Sequence, residues 1–335
     1  MKKAVLALAI STLATPALAL DPIGDESGWS GFINLGGGFG SIETNFLSEV
    51  AGFDLGNDRI DDAGSPDDED IGLPAGGFKV AYTFDSKKTQ VLLGNTVLEP
   101  LAAELAVQLA VRHDFDKIGN VQLAGISTAG ASTKQWSDPY QVGVKRGDTD
   151  SDSGGVRLTW DNMFGSNFEV DAIFRDRNID DEDSGIALGL TRAERDLLDR
   201  QGDVTRVEAG YTFSLEGGKH ELRPRLAYLD YDLDGDAMSQ DGFEVGIGYT
   251  YTSSKVKWIN NLSYASLDGD KTNPVFGDSN DADRYAVSSR LMFPGAFGWK
   301  KWVPTVGAVY ADEDSDVDFN DTSIWLVSAS LYRRF

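Results

Sequence analysis

Hydrophobic and polar residues alternate with a period of two along most of the chain. In 241–252, DGFEVGIGYTYT, Phe243, Val245, Ile247, Tyr249 and Tyr251 fall on one side. Glu244, Gly246, Gly248 and Thr250 fall on the other. Successive strand side chains point to opposite faces, so one face is apolar and aromatic and the other polar or tiny. The same split recurs at 167–176, where Phe168, Val170, Ala172 and Phe174 oppose Glu169, Asp171 and Arg175. It recurs again at 205–214 and 283–293. Fourteen such segments can be read, near 29–41, 74–85, 88–97, 103–114, 120–131, 154–162, 167–177, 203–214, 219–231, 241–252, 255–267, 283–293, 301–311 and 322–335. The segment 140–145 is a fifteenth candidate, either strand or loop. Most are about ten to thirteen residues long, more than the five or six of a soluble strand. That length suits a tilted membrane-spanning strand of roughly 9–11 residues with a short extension. A soluble sandwich or solenoid competes, but no short repeat period is visible.

The connections alternate in kind. One set is short: 85–88, 116–120, 164–167, 216–219, 252–255 and 294–300. The other is long and acidic: 45–72, 131–153, 178–202, 232–240, 268–282 and 312–321. Short periplasmic turns and longer extracellular loops are the layout of an outer-membrane barrel. Phe84, Phe115, Phe164, Phe213, Trp258, Phe297 and Trp299 gather beside the short turns and predict an interfacial aromatic girdle. Closing the sheet removes edges that an open fourteen-stranded sheet would expose. The predicted fold is all-β: a transmembrane antiparallel up-and-down β-barrel of about 14 strands (range 12–16), with both termini periplasmic.

Composition narrows the function. Asp and Glu number 54 against 30 Lys and Arg in 335 residues, a formal charge of −24, which excludes a nucleic-acid partner. Cysteine is absent, so disulfides, thiolate metal sites and a lipidated cysteine are excluded. The start, MKKAVLALAISTLATPALAL, has two lysines, a short apolar run and Ala17-Leu18-Ala19. That is the pattern of an export signal over 1–19, leaving 20–335 as the barrel. The last segment, TSIWLVSASLYRRF, is amphipathic and ends on Phe335. It resembles the signal read by the outer-membrane assembly machinery, although Arg333 stands where an apolar residue is usual. WSDPY (136–140), GVKR (143–146) and LTWDNMFGSNFEV (158–170) resemble an uncharacterised, porin-like family of proteobacterial outer-membrane barrels. The resemblance implies the fold and the location and carries no substrate.

Candidate chemistry is sparse. His113 and His220, the only histidines, fall at predicted periplasmic ends, away from any extracellular catalytic site, so no enzyme is expected. In DYDLDGD, Asp230, Asp232, Asp234 and Asp241 stand at positions 1, 3, 5 and 12 of a calcium-loop count, with Gly235 at 6. An ordinary Asp/Gly turn is the competing reading, and calcium is the only cofactor suggested. TRAERDLLDRQ (191–201) opens with a capping box, Thr191 and Glu194, and predicts a short helix lying over the rim or constricting the pore. The acidic loops suit ions shared with lipopolysaccharide. Lys79, Arg112, Arg157, Arg175, Arg206, Arg223, Arg225, Lys257, Arg284 and Arg290 occupy inward positions, against Glu104, Glu169, Asp171, Glu208 and Glu244. Rings of such bases favour anions, unless cross-strand pairing with acids neutralises them. The expectation is a passive channel for small hydrophilic, anionic solutes. The alternative is a non-channel structural or adhesive barrel. A hydrophobic-ligand transporter would want an apolar lumen and an N-terminal plug, which the charged inward faces and the short segment before Trp29 argue against.

Overall fold

The alternating segments pair with their neighbours in sequence, and the last pairs with the first. The computed structural model describes residues 23–24, 26–129 and 133–335; the export signal with Ala17-Leu18-Ala19 lies outside them. The strands are β1 (Gly28–Glu43), β2 (Leu47–Val50), β3 (Phe53–Asp54), β4 (Asp68–Thr83), β5 (Thr89–Glu99), β6 (Glu104–Asp114), β7 (Asn120–Ser127), β8 (Thr133–Trp136) and β9 (Asp148–Asp161). Then come β10 (Phe168–Ile179), β11 (Gly202–Tyr211), β12 (Phe213–Leu215), β13 (His220–Leu233), β14 (Gln240–Thr252), β15 (Lys257–Gly269), β16 (Ala282–Met292), β17 (Val303–Ser315) and β18 (Thr322–Arg334). β12 continues β11 along the same partner, β13. The short β2, β3 and β8 lie in loops. The remaining strands make a closed antiparallel barrel of fourteen walls, each of the fourteen predicted segments supplying one. β1 and β18 close it in register from Phe32↔Arg334 to Glu43↔Ser323. Backbone bonds of 3.0 Å in both directions between Gly31 and Phe335 finish the seam.

The apolar face points outward. Trp29, Leu35, Phe39, Leu109, Leu123, Phe174, Leu226, Phe243, Val245 and Leu262 are all exposed there, as lipid contact requires. Two aromatic girdles bound this belt. The lower one, beside the short turns, includes Trp29, Phe84, Phe115, Phe164, Phe213, Phe297 and Trp299. The upper one, which the sequence reading did not pick out, pairs Phe39 with Trp325, Tyr228 with Phe243 and Tyr264 with Tyr285. Ten residues separate Trp29 from Phe39 on β1. At about 3.3 Å per residue and a tilt of about 40° they span about 25 Å, the height of a lipid-facing band.

The segment 140–145 is not a strand; a single isolated bridge joins Val142 to Ile60. Tyr140 is instead sequestered between Phe276 and Phe319, which pulls the segment inward and out of the wall. The predicted capping box is present: Thr191 and Glu194 bond reciprocally at the start of α1 (Arg192–Asp196). That helix is solvent-facing over the rim, so it is not the constriction.

Candidate functional site: the lumen and its mouth

Inward strand positions bring acids and bases into contact across the barrel. Arg112 Nη2 lies 2.6 Å from Asp161, and Arg157 Nε lies 2.8 Å from Asp171. Arg206 meets Glu208 at 2.7 Å and Glu244 at 2.9 Å. Arg223 meets Glu169 at 3.0 Å and Glu208 at 3.2 Å. Arg225 meets Glu208 at 3.5 Å and Glu244 at 3.6 Å. Arg175 pairs with Glu104 and reaches Glu99 at 3.5 Å. Arg284 pairs with Glu313, reaches Glu99 at 3.4 Å and donates to the Tyr231 hydroxyl at 2.6 Å. Lys79 lies 5.9 Å from the Phe32 ring centroid. Arg290 faces a pocket of small residues with Gly38, Ser328 and Ser330. Lys257 shares the inward parity of Asn261 and Ser263 at the periplasmic end of β15. Seven of the ten inward bases thus sit in a paired network, which takes in three further acids, Glu99, Asp161 and Glu313. Asp161 shares the parity of Arg157, and Glu313 that of Ala311, so both were legible. Glu99 was not, because a register shift between Val97 and Glu99 breaks the alternation there.

Small residues make room for these guanidiniums. A Cβ on Gly246, opposite Arg225, would stand 2.6 Å from its Nε. The strand is glycine there because the arginine head folds across it.

Within the network lies a cavity of about 370 Å³. Six of its lining residues are cationic (Lys79, Arg157, Arg175, Arg206, Arg225, Arg284) and four are acidic (Glu99, Asp171, Glu208, Glu244). The tip of the β5–β6 hairpin supplies Val97, Leu98, Pro100 and Leu101 to the same wall.

Above the cavity the long loops pack against one another. β2 crosses the mouth and pairs with β8, Leu47 opposite Gln135. Arg146, almost fully buried, donates to the carbonyls of Asn45 and Pro139 at 3.2 Å and to that of Asn57. Arg200 Nη2 donates to the Trp136 and Ser137 carbonyls at 2.8 and 3.3 Å. Tyr140, Leu198, Met238, Val317 and Phe319 form the buried apolar centre of this lid. In the rim, burial and the neighbouring Asp314, Asp318 and Asp312 push the Asp321 carboxyl up to about 6.

The calcium-loop count does not fold into a loop. Asp230 and Asp232 lie in β13 and Asp241 lies opposite Asp230 in β14. Asp234 turns toward Asp199: burial and then the Asp199 charge raise its carboxyl. Burial, then Asp241, Asp236 and Asp232, raise that of Asp270. Among the described residues no three carboxylates converge as a metal site. His113 bonds Thr89 at 2.7 Å and His220 bonds Tyr249 at 2.9 Å, both at the short-turn end.

A closed antiparallel wall with a lipid-facing apolar belt and a charged interior defines an outer-membrane β-barrel. The chain belongs to the family described as "Protein of unknown function (DUF2860)", whose profile matches residues 28–332. Comparison with curated proteins gives no match. Among solved structures it is similar to the CymD monoaromatic hydrocarbon channel (TM-score 0.44, 10% identity, over 92% of this chain and 89% of that one). It is similar also to the outer membrane channel DcaP of Acinetobacter baumannii (0.42, 12%, 92% and 97%). A third is the anion-selective porin from Comamonas acidovorans (0.41, 8%, 92% and 100%).

Proposed function

We propose that the protein is a narrow outer-membrane channel for small hydrophilic solutes, with a modest preference for anions. The observation that carries this is the cavity lining, where six cations face the lumen against four acids while Glu104 and Glu313, the partners of Arg175 and Arg284, stand outside the lining, in a low-dielectric wall that focuses the field. Arg112, Arg223, Lys257 and Arg290 continue the lining outside the cavity. Cross-strand pairing offsets most of this charge, so selectivity is weak. The acidic loops oppose it but lie in water, where their charge is screened within about 8 Å. Export through the 1–19 signal and recognition of Phe335 by the assembly machinery belong to the same reading. Single-channel recording of the refolded barrel in a salt gradient tests it: discrete steps with an anion-signed reversal potential are expected. Cation selectivity that persists after the loop acids are neutralised refutes the preference.

The packed lid favours a second reading, a surface barrel whose acidic loops share divalent ions with lipopolysaccharide. Electrical silence across preparations, with a melting temperature raised by calcium and not by sodium, is its signature.

A further inference from the structure

The wall is not hydrogen-bonded all the way round. β4 pairs with β1 along its full length, Glu43↔Asp68 to Gly28↔Thr83. On its other side the ladder with β5 ends at Lys79↔Gly94, although β4 runs on to Asp68. The free edge lies inside the lipid-facing belt. Gly72 is opposite Phe39 and Gly76 opposite Leu35, two β1 residues that are 63% and 60% exposed on the outer face. A strand edge at this depth is tolerated only where protein buries it or a cavity lies behind it.

Three features suit such an edge. The free stretch reads GLPAGG (72–77), with Pro74 lacking an amide hydrogen and three glycines lacking side chains. At the foot of the seam the Phe78 amide donates to the Asn95 side-chain oxygen at 2.7 Å, in place of a β5 carbonyl. The Asn95 Nδ2 is buried with no partner. Above it the β5–β6 hairpin leaves the wall. Val97 and Leu101 pack on the apolar cluster of Ile71 and Leu73, and Leu98 lines the cavity. Among the described residues, no backbone ladder joins the hairpin to β4 above Asn95, and side-chain contacts hold it there. Glu99 ties its tip across the lumen, accepting from the Tyr231 hydroxyl at 2.7 Å beside Arg284 and Arg175.

We propose that the β5–β6 hairpin is a lateral gate, and that the cavity behind it takes a small amphipathic anion passing between the lumen and the outer leaflet. The apolar body lies against Val97, Leu98 and Leu101, and the anionic end faces Lys79 and the arginines of the lining. This goes beyond the channel reading, because it adds a route through the wall and a ligand with an apolar body.

The cysteine-free sequence makes the route directly testable. Leu98→Cys, in lipid nanodiscs, is exposed to N-(1-pyrenyl)maleimide dissolved in the bilayer. Ile259→Cys is the comparison: inward, buried, and in ladder with both neighbours at Thr250 and Arg290. Labelling at 98 about tenfold faster than at 259 is expected, because only 98 lies behind an open edge. Equal rates overturn the gate. Leu101→Cys repeats the measurement should Leu98→Cys fail to fold, and Glu99→Gln in either background should speed labelling further. No ion flux is read, so a silent barrel still tests the gate, and a conducting barrel whose introduced thiol is protected from the probe sinks the gate alone. The ligand class is tested by binding of 8-anilinonaphthalene-1-sulfonate against neutral N-phenyl-1-naphthylamine, with empty nanodiscs subtracted. Lys79→Gln should weaken the sulfonate about fivefold and leave the neutral probe unchanged. Equal loss of both, or of neither, overturns the anionic assignment.

Discussion

Asp321 shows how one rim carboxyl carries the electrostatic strain of an acidic mouth. Burial and the nearby Asp314 and Asp318 raise it to about 6, while the Ser315 amide, donating at 2.9 Å, works the other way. A carboxyl whose folded pKa exceeds its unfolded value costs stability above both values. That cost vanishes as pH falls from about 6 toward 4. Asp321→Asn keeps an acceptor for Ser315 and removes the charge. It should stabilise the barrel at pH 8 by about 1 kcal/mol, after allowing for partial exposure. At pH 4 the gain should be gone. Urea unfolding of the refolded protein at the two pH values measures this, and an equal gain at pH 4 contradicts it.

At the scale of the element, the lumen's charges are organised by strand register. Glu208 on β11 is the hub, meeting Arg206, Arg223 and Arg225. Removing one partner of a buried ion pair costs about 3–5 kcal/mol, since the charge left behind is uncompensated. Glu208→Gln should therefore lower unfolding stability by that order and shift the reversal potential further toward anions. An unchanged reversal potential with lost stability would show that the network only braces the wall. Strand parity makes most of this legible in advance: alternation alone places the ten bases inward. Their pairing is not legible, because a parity count says which face a residue takes and nothing about which acids reach it across neighbouring strands. The hairpin tip is hidden for a related reason. The alternation reads 88–97 and 103–114 as ordinary wall strands, and only the missing β4 ladder shows that their shared tip has left the wall.

For the whole molecule, the fourteen walls follow from period-two patterning, because lipid outside and charge inside enforce strict alternation. The lid does not, since its loops have no period and their packing joins residues far apart in sequence. Asn45 Nδ2, for example, donates to the carbonyls of Gly64 and Phe319 at 3.0 and 3.1 Å. Arg146 is the natural place to undo the lid. Its guanidinium ties three carbonyls from two loops and stacks 4.5 Å from the centroid of Trp136. Trimming it to Ala leaves those carbonyls unpaired in a dry site, at about 1–3 kcal/mol each. Water entering to satisfy them would separate β2 from β8. The barrel wall, held by its own ladders, should be unaffected. Arg146→Ala is therefore expected to raise single-channel conductance or open time and expose the 44–67 loop to proteinase K in intact cells. Its heat-modifiable migration should stay that of a folded barrel. Cleavage without any change in conductance would mean that the barrier to solutes lies deeper, at the inward hairpin, and that the lid is only a cover.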